Sequence, residues 1–160
     1  SIGGGLPLAA FGGKKKYMDF VTNGKMAHFG TFNGNPLAMA GVRAIDRICS
    51  DEALAIAEDF NLQALTRIGE IIDEYELPAH TVGFGIKGCV TWSTTPVRNY
   101  RDYKATDFGV AEAHWLFALN RGIITPPGLD EQWLISLAHG QTEIDILVED
   151  FREFAIAIRS

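Results

Sequence analysis

The residues best suited to chemistry lie in two glycine-rich stretches near the start of the sequence. Gly3, Gly4 and Gly5 stand together, and the polar stretch TNGKMAHFGTFNGNP ends at Pro36. Three consecutive glycines let a backbone approach a phosphate closely. The triplet lacks both the GxGxxG spacing and the lysine of a nucleotide-binding loop, so a tight turn is its simpler interpretation. A long loop inside a compact domain is usually functional.

Other reactive side chains are scattered along the sequence. The four histidines show no HxxxH or HxH spacing, and no cysteine stands at a metal-ligand spacing from them, so we expect no metal site. There is no GxSxG motif for a serine nucleophile. Two isolated cysteines, Cys49 and Cys89, are typical of buried thiols in a reducing compartment, for which the cytoplasm is the default expectation.

Composition excludes several classes of function. The 160 residues carry a net charge of −6, and the single basic run, Lys14 to Lys16, is expected to be a solvated helix start. A nonspecific nucleic-acid surface needs a basic face, so no nucleic-acid partner is expected. No apolar stretch approaches the roughly 20 residues of a membrane span, so no membrane is expected either. A hydrophobic share of 47% predicts a packed core.

The elements that must position these residues follow from periodicity and punctuation. Residues 6–11 (LPLAAF) predict a buried strand of an α/β sheet, and residues 14–21 predict a helix. Asn35 and Pro36 suit the cap and first position of a helix, and Ser50 suits the cap of a second helix that runs toward Pro78.

Beyond Pro78 the pattern changes to short β-type segments. HTVGFGI and CVTWST predict a hairpin that turns at Lys87 and Gly88, and residues 102–121 predict a helix. GIITPP and WLISLAH predict two further strands. Thr142 is the expected cap of the last helix, whose apolar stripe comprises Ile144, Leu147, Val148, Phe151, Phe154 and Ile158. The pattern predicts an α+β domain after the end of an α/β one.

Five stretches in order resemble the landmarks of class III aminotransferases, in the branch that contains glutamate-1-semialdehyde aminomutase: SIGGGLPLAAFGG, GTFNGNPLAMAG, TPVRNYRDYKATD, GIITPPG and SLAHGQTEID. The resemblance implies an α/β fold of the pyridoxal 5′-phosphate (PLP)-dependent transferase type I, similar to aspartate aminotransferase. On that plan, residues 1–50 would be the C-terminal end of the PLP-binding large domain, and residues 51–160 the small C-terminal α+β domain.

The resemblance also implies where the catalytic and cofactor residues lie. The family pattern K-x-I-G-G-G places the lysine that binds PLP one residue before Ser1, so no catalytic residue is expected within the sequence. None of its lysines (14, 15, 16, 25, 87 and 104) falls at the family position. Gly30 and Thr31 match the residues that hydrogen-bond the cofactor phosphate of the other subunit of a homodimer. Asn33 to Pro36 would hold this loop, and His28 and Phe29 would line the substrate entrance or pack.

The reaction stays open at this point. Thr125 precedes Pro126 where many class III ω-aminotransferases carry an arginine, which resembles the aminomutase branch, whereas Phe32 and Asn33 look closer to amino-acid transaminases. Three hypotheses follow: a transaminase that uses a small-molecule amino donor and a keto-acid acceptor, a PLP-dependent isomerase such as an aminomutase or racemase, or a noncatalytic fragment. Four aromatic residues are expected in the core or on the surface, with no ligand role: Trp92, Tyr100, Tyr103 and Trp115.

Overall fold

The computed structural model describes residues 2–126 and 132–159. The chain separates into two compact units, Ser1–Ser50 and Asp51–Ser160. That the first unit is the end of a PLP-binding large domain, and the second a small domain, stays a prediction.

The first unit contains two helices joined by a loop. Helix α1 spans Lys15–Thr22 and helix α2 spans Pro36–Ile48, which confirms both predicted helices. Pro36 fixes the backbone at the first position of α2, where a missing N–H costs nothing. The predicted strand over residues 6–11 is wrong, because these residues form a turn and irregular backbone. Within residues 2–50 no strand is present to pair with them, and apolar residues alone do not make a ladder.

The second unit is an α+β arrangement around a small antiparallel sheet. Its elements in order are α3 (Asp51–Glu74), β1 (His80–Phe84), β2 (Lys87–Thr91), α4 (Tyr100–Tyr103), α5 (Phe108–Asn120), β3 (Trp133–Leu134) and α6 (Gln141–Arg159). The strands lie in the order β1-β2-β3, with Val82 opposite Cys89 and Gly88 opposite Trp133.

The core of the second unit lies where the long helices α3 and α6 meet each other and the sheet. Its most completely buried large side chains include Ile68 and Ile71 on α3, Trp92 after β2, and Phe151 on α6. Trp92 packs against Phe154 with ring centroids 5.7 Å apart. Burial of aromatic and branched side chains is the dominant stabilising contribution of such a core.

A buried amide joins the helix to the sheet. Asn61 on α3 is 1% exposed, and its Nδ2 donates to the carbonyl oxygens of Gly85 and Lys87, each at 2.8 Å. Its Oδ1 accepts from Trp133 Nε1 at 2.8 Å. All of the donor hydrogens and the oxygen of this amide therefore have partners, which is the condition for burying it without penalty.

The hairpin and the following helix differ in detail from the sequence prediction. The hairpin is confirmed, but it turns at Gly85 and Ile86, with Phe84 paired to Lys87 and Gly85 at φ +56°. Lys87 and Gly88 belong to β2. The single helix predicted over residues 102–121 is two helices, α4 and α5, because the Asp107 side chain caps a new helix by accepting from Gly109 N and Val110 N.

The end of the second unit corrects three further predictions. Residues 122–126 of the predicted strand GIITPP are not a strand, and its last residue lies outside the described residues. Only Trp133 and Leu134 of WLISLAH are in a strand. Thr142 lies inside α6 and is not its cap: the Gly140 N–H donates to Glu143 Oε2 at 2.7 Å. The stripe of α6 is otherwise buried as predicted, except for Leu147, which is half-buried, and Ile158, which is 41% exposed.

Candidate functional site

The loop between the two helices of the first unit is built from two successive turns. The Asn33 N–H donates to the Gly30 carbonyl at 3.0 Å, and the Asn35 N–H donates to the Phe32 carbonyl at 3.1 Å. Gly34 has φ +69°, a conformation that strains other residues. The loop 28–35 therefore has a definite backbone path that ends at the start of α2.

Side chains of the loop hold this path. Asn33 Nδ2 and His28 Nε2 form a hydrogen bond of 3.2 Å. The His28 ring packs edge-on against Phe11, with centroids 4.8 Å apart. A Cβ at Gly30 would meet the Asn33 amide, so a larger residue at position 30 would displace the Asn33 side chain. His28 thus has a packing role, one of the two roles expected for it.

Gly30 and Thr31 present unused hydrogen-bond donors at the tip of the loop. Both residues are exposed, and within residues 2–126 and 132–159 no protein acceptor is paired with either N–H group or with the Thr31 hydroxyl. Adjacent N–H and O–H donors that the protein itself does not use can bind a phosphate oxygen. The two sequence-predicted residues therefore fit a phosphate group chemically.

The helix that follows is closed to a ligand at its first turn. Asn35 Oδ1 accepts from Leu37 N at 2.9 Å and from Ala38 N at 3.3 Å, which confirms the predicted cap. These bonds satisfy the N–H groups that an anion would otherwise bind. The positive end of the α2 dipole still favours a negative charge nearby, and the exposed donors of Gly30 and Thr31 remain to bind it.

The glycine triplet packs directly on α2. The Leu6 N–H donates to the Gly3 carbonyl at 3.1 Å, and Gly4 and Gly5 have φ values of +59° and +94°, so the triplet is a tight turn. A Cβ at Gly41 on α2 would lie 2.8 Å from the Gly3 oxygen, closer than real Cβ contacts allow. The turn and α2 therefore form one packed structure, and the turn is held in register with the helix that follows the loop 28–35.

The electrostatics of the first unit suit an anion. Residues 1–50 contain six Lys and Arg and two Asp, whereas the protein as a whole is acidic. The lysines are all exposed.

Thr125 of the second unit is held by an aromatic side chain. Trp115 Nε1 on α5 donates to the Thr125 carbonyl at 3.3 Å, and Gly122 reverses the chain after α5 with φ +86°. Segment 122–126 carries no charged side chain, so it offers no guanidinium to a substrate carboxylate. Sequence reasoning assigned Trp115 no ligand, and the structure gives it a positioning contact.

The other three aromatic residues lie in the core or on the surface, as expected. Trp92 is 2% exposed and belongs to the core, Tyr100 is 72% exposed, and Tyr103 packs on Phe108 with centroids 5.3 Å apart. Among the described residues, no three His, Cys, Asp or Glu side chains are grouped so that they could hold a metal ion. Nor does any helix of the described ranges have the length and apolar character needed to cross a membrane.

Comparison with known proteins identifies relatives of this chain. No model of a protein family matches the chain. A glutamate-1-semialdehyde 2,1-aminomutase 2 from Brevibacillus brevis is 32% identical over 151 residues, which are 92% of this chain and 35% of the relative. The β-phenylalanine aminotransferase of Variovorax paradoxus superposes with a TM-score of 0.85 at 26% identity, over 98% of this chain and 36% of that structure. Over nearly its whole length the chain is similar to class III aminotransferases and aminomutases.

The match covers a part of each family member. The chain spans about a third of the length of the curated relatives it matches, 35% for the Brevibacillus brevis protein. A glutamate-1-semialdehyde aminomutase from Pseudomonas aeruginosa, solved in complex with PMP, has a TM-score of 0.70 at 20% identity over 80% of this chain and 30% of that one. The fold class is therefore confirmed as that of the type I PLP-dependent transferases, and PLP is the cofactor of the family.

Proposed function

We propose that this chain is the C-terminal part of a PLP-dependent aminotransferase, which moves an amino group between an amino acid and a keto acid in the cytoplasm. In this proposal, Gly30 and Thr31 bind the cofactor phosphate of the partner subunit in a homodimer. The observation that carries the proposal is the pair of adjacent, exposed residues whose donors the protein does not use. The sequence pattern of two isolated cysteines, Cys49 and Cys89, is typical of proteins in a reducing compartment.

The residues of this chain have binding and orienting roles in the proposed reaction. Bound PLP is an electron sink that acidifies the C–H bond next to the substrate nitrogen. The Gly30 N–H and the Thr31 hydroxyl donate to phosphate oxygens and fix the cofactor at that end. Asn33 and Asn35 keep both donors in place through the turns of the loop and the cap of α2. A lysine outside these 160 residues would accept and return the proton.

The sequence similarity supports a second candidate function, that of an isomerase. Relatives at 32% identity are aminomutases, and such an enzyme moves the amino group within one molecule. Incubation with a single amino donor and no keto acid distinguishes the two: a transaminase retains the amino group and releases a stoichiometric keto product, whereas an aminomutase or racemase converts the donor to an isomer. A noncatalytic fragment would do neither and would show no dependence on PLP.

The proposed phosphate contact is tested by a matched pair of substitutions. In the protein expressed with any sequence that its gene encodes before Ser1, Thr31→Val removes the hydroxyl and keeps the shape, whereas Thr31→Ser keeps the hydroxyl. We expect Thr31→Val to weaken PLP binding about tenfold, as for the loss of a hydrogen bond to a charged group, and Thr31→Ser to weaken it much less.

The control ligand is pyridoxal, which lacks the phosphate. Its affinity should be the same in all three proteins, because the Thr31 hydroxyl would have no phosphate oxygen to bind. Equal PLP affinity of Thr31→Val and the unsubstituted protein, measured by equilibrium titration, would show that Thr31 does not bind the phosphate.

A further inference from the structure

Two exposed phenylalanines border the proposed phosphate donors. Phe29 directly precedes Gly30, and Phe32 directly follows Thr31. Phe29 is 91% exposed and Phe32 is 73% exposed. The rings of Phe11 and His28 pack on each other. This aromatic contact involves neither Phe29 nor Phe32. Two large apolar rings thus project from a loop whose backbone path is fixed.

The surroundings of these rings carry no formal charge. Residues 26–42 contain no Asp, Glu, Lys or Arg. A substrate side chain with a carboxylate needs a cation or several donors close to it, since an unpaired charge is costly to desolvate. The loop has no Lys or Arg, and the proposed function assigns the donors of Gly30 and Thr31 to the phosphate. An apolar substrate side chain has no such requirement and gains from covering aromatic surface.

The covalent structure of PLP relates the phosphate contact to the position of the substrate. The phosphate-bearing carbon and the reactive carbon of PLP are substituents of one pyridine ring. These two substituents occupy adjacent ring positions, so the phosphate and the substrate are separated by a few bonds, and a phenylalanine side chain beside a phosphate contact is long enough to span that separation. The residues on both sides of Gly30 and Thr31 are therefore the candidates for substrate contact.

We infer that the enzyme acts on amino donors with an aromatic or bulky apolar side chain, and that Phe29 and Phe32 contact that side chain. The inference rests on the proposed function, because it uses the phosphate position assigned to Gly30 and Thr31. Phe29 and Phe32 are then specificity-determining residues, and they take no part in proton transfer.

The test compares amino donors and variants in the PLP-loaded holoenzyme, expressed with any sequence that its gene encodes before Ser1. The donors are phenylalanine and its 3-amino isomer, against glutamate and aspartate. We expect the aromatic donors to have the higher kcat/KM. Phe29→Ser and Phe32→Ser should each raise KM for the better aromatic donor by roughly tenfold, the scale for lost contacts in a hydrophobic pocket. PLP retention should be kept, and KM for glutamate should change much less than KM for the aromatic donor.

Two controls separate specificity from damage to the fold. Phe84→Ser alters a ring that is 90% exposed at the tip of the hairpin in the second unit, and it should leave every kinetic constant unchanged. Phe32→Leu keeps an apolar side chain and should recover most of the loss seen in Phe32→Ser. Because Phe29 and Phe32 are exposed, the variants should keep the circular dichroism spectrum of the parent.

Each outcome bears on a different statement. Transamination of aromatic donors with the expected KM increases supports the inference. A preference for glutamate, or an unchanged KM for aromatic donors in both serine variants, overturns the inference and leaves the proposed function standing. A PLP-loaded protein that transaminates none of the donors overturns the proposed function, and the inference falls with it.

Discussion

At the scale of single residues, glycine 88 decides how closely β3 approaches β2. Gly88 lies opposite Trp133, and a Cβ at this position would overlap the indole ring. Trp133 is also fixed from the other side by its hydrogen bond to the buried Asn61. The indole therefore cannot move aside without breaking a buried hydrogen bond.

Substitution of two glycines by alanine should have opposite effects within one unit. Gly88→Ala should destabilise the fold by about 1–3 kcal/mol, as for an overpacked core. Gly69→Ala, in the middle of α3, places a Cβ 3.8 Å from Thr81 Oγ1, which is an ordinary contact. It should stabilise the fold by roughly 0.5–1 kcal/mol, because alanine restricts the unfolded chain more than glycine does. Urea denaturation of both variants measures the two signs, and equal effects would contradict the proposed role of Gly88.

Contacts between residues that are far apart in the sequence could not be predicted from it. The pattern FGTFNGNP shows a loop, and Asn35 followed by Pro36 shows where the helix starts, because caps depend on neighbours in sequence. The contacts of Gly3 with Gly41 and of Asn61 with Trp133 depend on how the chain returns on itself. The sequence did contain a signal for Phe29 and Phe32, the two proposed specificity-determining residues. Both adjoin the proposed phosphate donors in a stretch that has no charged residue.

At the scale of elements, helices were predictable where their ends carry local signals, and so was the hairpin of β1 and β2. α2 begins at its predicted cap, and α3 begins directly after Ser50. Strand pairing also depends on partners far away in sequence, so the apolar run 6–11 was misread as a strand. The hairpin turn was misplaced by two residues. Both Gly85 and Gly88 could have served as a turn, and the packing of Trp133 on Gly88 decides between them.

The cap of α2 connects the element to the candidate site. Asn35→Ala removes the acceptor for two N–H groups of the first turn and should cost about 1 kcal/mol of helix stability. Amide exchange of Leu37 and Ala38 should quicken by roughly fivefold, the equivalent of that energy. Asn35→Asp keeps an acceptor and adds a charge favoured by the helix dipole, so exchange there should be no faster than in the parent.

The same two variants test whether the capped start of α2 stabilises the loop that contains Gly30 and Thr31. If the loop of Gly30 and Thr31 depends on the cap, Asn35→Ala should also weaken PLP binding, while Asn35→Asp keeps the turns of the loop. Fast amide exchange at Leu37 with unchanged PLP affinity would mean that the loop holds its path without the capped helix.

At the scale of the whole molecule, the two units differ in charge and in what holds them. The first unit is basic and buries little: α1 has no buried residue and α2 has only Ala38. The second unit holds most of the acidic residues and has the core, together with exposed ion pairs such as Arg67 with Asp145 at 2.6 Å. Exposed pairs of this kind contribute little individually, so burial in the second unit dominates the stability.

One buried charge in the second unit makes its stability depend on pH. Asp150 on α6 is 2% exposed and lies 2.7 Å from Nε of Arg121, which also contacts Glu153 at 2.6 Å. Burial raises the pKa of the Asp150 carboxyl, against the opposing effects of the Arg121 hydrogen bond and the nearby His114 and Arg121 charges. Exposed carboxylates act in the other direction: a backbone hydrogen bond from Gly140 lowers the pKa of Glu143, and Arg67 lowers that of Asp145.

These pKa directions predict a stability maximum on the acid side of neutrality. Because the folded state binds the Asp150 proton more tightly than the unfolded chain does, stability should rise as pH falls from neutral through the raised pKa of Asp150. This gain is complete near the ordinary aspartate value of about 4. Below that value Glu143 and Asp145 become protonated through their lowered pKa values, and the stability that they contribute as charged groups is lost.

Thermal unfolding midpoints measured across this pH range, with two variants of α6, decide whether Asp150 is the cause. Asp150→Asn cannot titrate, so the rise of the midpoint between neutral pH and about pH 4 should shrink in this variant. Glu149→Gln removes an adjacent, exposed carboxylate from the same helix and should keep the rise of the parent. An equal pH dependence in the parent and in Asp150→Asn would mean that groups other than this buried carboxyl set the pH dependence of the fold.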